Sequence, residues 1–124
     1  MDNSVSRIPL RLIVDGKGET KGELIRFLAP RTVERVLSML PVEGRAALLK
    51  EGVYFEKSLS IGTEKAVSVV EARSLAYWPM ASSICIFYGK TQTYSPVNII
   101  GRVTGDLDLF KGLNSGTRIK IEKV

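Results

Sequence analysis

Histidine is absent from this 124-residue chain, and cysteine occurs once, at Cys85. Without histidine there is no Ser-His or Cys-His nucleophile pair, and the commonest metal ligand is missing. A single cysteine excludes an intramolecular disulfide. Cys85 sits in the apolar run SICIFY, a setting that suits a buried small hydrophobe rather than a reactive thiol. No apolar run approaches the roughly 20 residues that a membrane-spanning helix needs. The N-terminal MDNSVSRIPLRLIV has an early Asp2 and is broken by Arg7, Pro9 and Arg11. It lacks the ordered basic and apolar regions of a signal peptide, so a cytoplasmic protein is expected. Internal repeats, low-complexity segments and linkers are also missing.

What is present describes a folded chain. Hydrophobic residues make up 44% and charged residues 25%, the balance of a soluble globular protein. The length fits one domain, 1–124, long enough to bury a core without disulfides or metal. The net charge is +5, a weak preference for anionic partners. Basic residues are interleaved with acidic ones rather than gathered into a stripe with aromatics. No nucleic-acid partner, membrane attachment or cofactor is expected.

Residues 8–14 alternate apolar positions Ile8, Leu10, Leu12 and Val14 with Pro9, Arg11 and Ile13, a half-buried strand. Pro9 cannot donate to a ladder, so the strand lies at an edge or its paired face starts after Pro9. DGKG at 15–18 is a turn, and Thr20–Leu28 returns as a second strand, with Gly22 a candidate bulge. Pro30 or Thr32 opens a helix whose Val33, Val36, Leu37 and Leu40 share one face, and Pro41 ends it. Strands are predicted over Arg45–Leu49, Gly52–Leu59, Ala66–Val70, Ser83–Tyr88, Val97–Val103 and 117–121. Residues 71–82 read as irregular, and Asp106–Leu113 as a short helix or single turn. Many short strands, close-spaced turns and no βαβ repeat predict a mainly β, antiparallel barrel or folded sandwich with two short helices.

The chemistry-bearing motifs are few. Asp106 and Asp108 could pair as acid and base or hold a hard cation, but their place after Gly105 fits a helix cap. Gly16-x-Gly18 joins strand to strand and is a hairpin, not a nucleotide-binding turn. The aromatics carry more information. Five of the nine, counting four Phe, four Tyr and one Trp, fall within 77–103, namely Tyr77, Trp78, Phe87, Tyr88 and Tyr94. That stretch holds no Asp, Glu or His. Adjacent side chains of an extended segment point to opposite sides. One of Tyr77 and Trp78 must therefore face a groove or the surface, and aromatic walls with few polar groups suit a ligand pocket.

Tyr77-Trp78-Pro79, Cys85-x-Phe87-Tyr88-Gly89-Lys90-Thr91 and Ser95-x-Val97-Asn98-Ile99-Ile100-Gly101-Arg102-Val103 resemble the small prokaryotic cyclophilin-like family. Its members carry a YWPPG-type segment, a strand ending F-x-G-x-T and a VNxIG[RK] strand. The match is specific over 76–124 and topological over 1–75. This chain departs at Met80-Ala81 and at Thr91-Gln92. The resemblance implies a closed antiparallel β-barrel of about eight strands with a helix at each end, and leaves activity largely undefined. In true cyclophilins an Arg stabilises the twisted prolyl amide against a barrier of about 18–20 kcal/mol. Aligned here, the Arg position becomes Glu56, or at best the adjacent Lys57; Gln falls on Ser83 and a groove Phe on Cys85. Whether the chain is an enzyme is left open, and no catalytic residue is assigned. The expectation is a cyclophilin-like domain binding a small or peptidic ligand in the corresponding groove. Tyr54, Tyr77, Trp78, Ser83, Cys85 and Phe87 would line it, with Lys57 or Arg102 meeting an anionic group. The alternative is a weak, divergent peptidyl-prolyl isomerase using Lys57. An exposed aromatic patch would also permit an oligomer or a protein partner. Related domains occur in amidase-type and oxoprolinase-type assemblies, which adds an accessory role to the possibilities.

Overall fold

A computed structural model describes residues 6–124; the first five, with Asp2, lie outside that range. Among the described residues ten strands form one antiparallel sheet. They are β1 (Arg7–Val14), β2 (Gly18–Ile25), β3 (Val42–Arg45), β4 (Ala47–Leu49), β5 (Gly52–Glu56), β6 (Val67–Val70), β7 (Ser74–Trp78), β8 (Ser83–Phe87), β9 (Thr91–Val103) and β10 (Arg118–Lys123). One α-helix, α1, spans Pro30–Met39, and 3-10 turns cover Arg26–Leu28, Pro79–Ala81 and Asp108–Phe110.

The strand order is β3-β10-β1-β2-β9-β7-β8-β5-β4, with β6 paired to β9 off this path. The expected closed barrel of about eight strands is thus corrected. There are ten strands, and among the described residues the ladder does not close through a pair between β3 and β4. The reason is local. Residues 42–49 form one stretch that bends at Ala46, pairing through β3 with β10 and through β4 with β5. Ala46 is buried at the corner, where its N–H donates to Thr117 O and its carbonyl accepts from Gly116 N, each at 2.7 Å. The two ends of the ladder are therefore covalently continuous, and Gly44 in β3 meets Phe55 in β5. A Cβ at Gly44 would lie 2.7 Å from the Phe55 ring.

Alternation decides which side chains fill the interior. Leu10, Leu12 and Val14 of β1, Val53 and Phe55 of β5, Leu75 and Tyr77 of β7, and Ile84 and Ile86 of β8 belong to the main buried cluster, with Val33 and Val36 of α1 packed on it. Leu37 and Leu40, assigned to the same helix face, are only half-buried against that core. Pro9 is accommodated as its missing N–H requires: β10 pairs with β1 from Leu10 onward. Gly22 is not a bulge. It stays in register opposite Leu10 and is small because Leu12 and the Arg102 carbonyl crowd it, at 2.8 and 2.9 Å from where a Cβ would sit. The second helix is a 3-10 turn, with the Asp106 carboxylate accepting the Asp108 N–H at 2.8 Å. Residues 74–78, expected to be irregular, are strand β7, because they pair with β8 on one side and β9 on the other. Among the described residues no helix is long and apolar enough to cross a membrane.

The N-terminus of α1 is held by a distant loop. Glu64 accepts from the Arg31 N–H at 3.0 Å, the Thr32 N–H at 2.8 Å and the Thr32 hydroxyl at 2.7 Å. Buried Asn98 then fixes that loop, accepting from Glu64 N at 2.8 Å and donating to Gly62 O at 3.0 Å and Thr32 Oγ at 3.1 Å. The capping group is thus the Glu64 side chain rather than Thr32, and it satisfies donors that every helix start leaves open.

Candidate functional site

The outer face of β5, β7 and β8 carries a second apolar cluster. Pleat alternation that turns Val53, Phe55, Leu75 and Tyr77 inward sends Tyr54, Ala76, Trp78, Cys85 and Phe87 outward. Tyr54, Cys85 and Ala76 stand in one cross-strand row. Cys85, Phe87 and Ala76 are nonetheless buried, with Val70 and Val97, and Tyr54, Trp78, Leu49 and Ile99 pack against them. What covers this outer face is the first half of β9 with β6.

That arm is irregular by construction. Val67 pairs with Val97, but Val69 pairs with Gln92. Two steps on β6 therefore match five on β9, and residues 93–96 arch out of the ladder. The arch is tied down by the Trp78 Nε1–H, which donates to Ser95 Oγ at 2.6 Å. The Thr93 hydroxyl bonds within the arm, to Ser95 O at 2.8 Å and Ser68 O at 3.2 Å. Tyr94, at the crest, is 96% exposed.

Between the arm and the β4–β5 hairpin runs a groove of about 560 Å³. Leu48, Leu49 and Lys50 form one lip; Thr91 to Tyr94 form the other; Trp78, Cys85, Phe87 and Val97 form the floor. Tyr54 stands edge-on to Trp78, with ring centroids 5.6 Å apart and planes at 70°, a favourable aromatic arrangement. Burial pushes the Cys85 thiol up to about 12, so it is neutral at physiological pH and serves as apolar floor. Among the described residues no group of three His, Cys, Asp or Glu side chains could hold a metal.

The sequence candidates divide sharply. Trp78, Cys85 and Phe87 line the groove, and Tyr54 supports it from beside Trp78. Tyr77 does not line it: it is 1% exposed on the interior side, where its hydroxyl accepts the Leu59 N–H at 3.1 Å. Between the two adjacent aromatics, Trp78 is the one facing outward. Ser83 is also outside the lining; it is buried, and its hydroxyl donates to Ala81 O at 2.8 Å. Lys57 lies beyond the end of β5, its N–H donating to Ser82 O at 2.9 Å, and is not in the lining. Arg102 is exposed in register with Glu23 and Ser74, away from the groove. Sequence reasoning missed Lys50, Gln92 and Tyr94 as groove residues. Only Tyr94 carried a signal, as an aromatic in the run that also holds Trp78 and Phe87.

The sequence model of the cyclophilin-like family matches residues 8–122. Among solved structures, the hypothetical protein AF2241 from Archaeoglobus fulgidus is similar over 100% of both chains, at 28% identity and a TM-score of 0.80. McbB, solved in complex with tryptophan, is similar over 92% of this chain and 44% of its own, at 12% identity and a TM-score of 0.72. No curated protein matches the chain.

Proposed function

The chain belongs to the cyclophilin-like family, and we propose that it is a ligand-binding domain of that family, taking a small or short peptidic apolar ligand in the groove beside β8. One observation carries this reading. An apolar cluster lies on the outer side of the sheet and is roofed only in part, leaving a groove of about 560 Å³ floored by Trp78, Cys85, Phe87 and Val97. That size and lining are those of small-molecule sites, roughly 300–1,000 Å³ and mostly apolar with a few polar groups. The neutral Cys85 thiol and the lack of histidine favour binding over nucleophilic chemistry.

NMR titration of the ¹⁵N-labelled protein tests it, using Ala-Pro and Leu-Pro peptides and tryptophan. McbB supplies tryptophan only as a probe, since that likeness carries the fold alone. Saturable shifts confined to Trp78, Phe87, Tyr94 and Val97, and removed by Phe87→Ala, are expected for at least one probe. Shifts scattered elsewhere would count against the groove. The alternative is a weak prolyl isomerase, which needs a cation at the prolyl carbonyl. Glu56 stands where the resemblance places that Arg, and Lys57 lies outside the groove lining. Exchange NMR on the same peptides is therefore expected to show no acceleration. Acceleration that Lys57→Ala abolishes would replace the binding reading with the isomerase.

A further inference from the structure

We infer that the groove selects ligands that join a flat apolar body to a carboxylate, the anion being met by Lys50 at the β4–β5 turn; this rests on reading the groove as a binding site. Several polar groups of the lining are already engaged. Trp78 Nε1 is committed to Ser95, and the Thr93 hydroxyl to the arm's own carbonyls. Cys85 is buried and offers no charge. Two side chains with N–H donors remain, Lys50 and Gln92. Neither has an ion-pair or hydrogen-bond partner among the described residues. Both are exposed, on opposite lips of the groove.

Charge at the groove itself is sparse: Glu51 adjoins Lys50 but is outside the lining. Lys50 is the one charged residue in the lining. From residue 72 to residue 105, which spans β7, β8 and all of β9, the chain contains no Asp or Glu, and the cations there are engaged or distant: Arg73 donates to Val103 O and Gly105 O, Lys90 pairs with Glu71 at 3.8 Å, and Arg102 lies away from the groove. Glu51, next to Lys50, lies over Gly89, where a Cβ would come within 2.0 Å of its Oε1. A cation at the rim of an apolar floor attracts an anion more strongly than in open water, because the floor excludes solvent on one side. The floor sets the rest of the ligand. Trp78, half-buried and braced by Tyr54, presents aromatic surface with buried Phe87 behind it, and Tyr94 stands exposed at the opposite lip to cover a planar group.

The test is a matched pair, indole-3-acetate and its neutral amide, indole-3-acetamide, titrated by NMR into wild type, Lys50→Gln and Lys57→Gln. The acid is expected to bind about five- to ten-fold tighter than the amide in wild type, the range of a partly exposed charge-assisted contact. Lys50→Gln should remove most of that preference and leave the amide unchanged, whereas Lys57→Gln should leave both as in wild type. The preference should also shrink as salt is raised. Equal binding of acid and amide at the groove overturns the anion inference and leaves the binding reading standing. A preference that survives Lys50→Gln overturns it as well. If neither compound shifts groove resonances at millimolar concentration, the binding reading falls together with the inference.

Discussion

Replacing Asn98 tests whether the loop that holds the start of α1 hangs on one buried amide. Asn98 is fully buried and makes three hydrogen bonds, to Glu64 N, Gly62 O and Thr32 Oγ. Asn98→Ala would strand the Glu64 N–H, a part-buried donor, at a cost of about 1–3 kcal/mol. Gly62 is exposed, so its carbonyl can return to water, and Thr32 keeps its bond to Glu64. Losing the packed side chain adds about 1 kcal/mol. The expected total is about 3 kcal/mol, a large share of the 5–15 kcal/mol typical of a domain. With a urea slope of about 1–3 kcal/mol/M, the unfolding midpoint should fall by about 1–3 M. Asn98→Asp separates hydrogen bonding from packing, since it preserves shape. It keeps the acceptor toward Glu64 N but turns a carboxylate oxygen toward Thr32 Oγ and Gly62 O, and so should destabilise at neutral pH by at least as much. An Asn98→Asp protein within about 0.5 kcal/mol of wild type would refute the reasoning, because an isostere that loses two donors cannot be neutral if those bonds matter.

Two further outcomes follow from the same structure. Burial raises the affinity of the Glu64 carboxyl for its proton, but the Thr32 hydroxyl, the Arg31 and Thr32 N–H groups and the Arg31 charge outweigh it, and the net shift is downward. A folded-state value below the unfolded one means stability that is present above the unfolded pKa and lost as pH falls through the folded one. Urea titrations between neutral pH and pH 3 should therefore show Glu64→Gln less acid-sensitive than wild type; an identical pH dependence would rule out the cap as a contributor. Gly44→Ala should cost about 1–3 kcal/mol, because its Cβ would press on the buried Phe55 ring, and thermal unfolding at unchanged stability would show that the corner between β3 and β5 is looser than described.

How far the sequence foretold this depends on whether a residue's environment is set by its neighbours in the chain or by distant ones. β1 was legible because Ile8, Leu10, Leu12 and Val14 alternate over a wall whose other side meets water. The helix was legible from Val33 and Val36 and from Pro30 at its first turn. β7 was not, because Pro79, Ala76 and flanking serines look like a loop until the pairing with both β8 and β9 is known. The first half of β9 was hidden for the opposite reason. TQTYSP has strand-forming Thr and Tyr, but no apolar alternation and a Pro, since this half spans a groove instead of lying on a core. The 3-10 turn at Asp108–Phe110 needed only Phe110 to be buried, and one buried residue carries no periodicity.

The candidate site shows the same division in sharper form. Alternation alone required that Tyr77 and Trp78 point apart, but nothing local says which side is the interior. The choice comes from the row Tyr54, Cys85 and Ala76, which fixes the outer face, and from Tyr77 delivering its hydroxyl to the Leu59 N–H inside. Lys57 adjoins the position the resemblance aligns with the cyclophilin Arg, and Arg102 belongs to the Val97–Val103 run, yet neither is in the groove lining. Lys50, in an ordinary turn, becomes the cation of the lining because residues 42–49 bend at Ala46 and bring the β4–β5 hairpin opposite the arm. The groove is thus a product of two departures from a regular barrel. One is the bent stretch that stands in for ladder closure, and the other is the arch at 93–96 that lifts β9 off its partner. A variant that removed the arch by shortening β9 would let β6 and β9 pair in register over Trp78 and Phe87. It would close the groove over the half-buried Trp78.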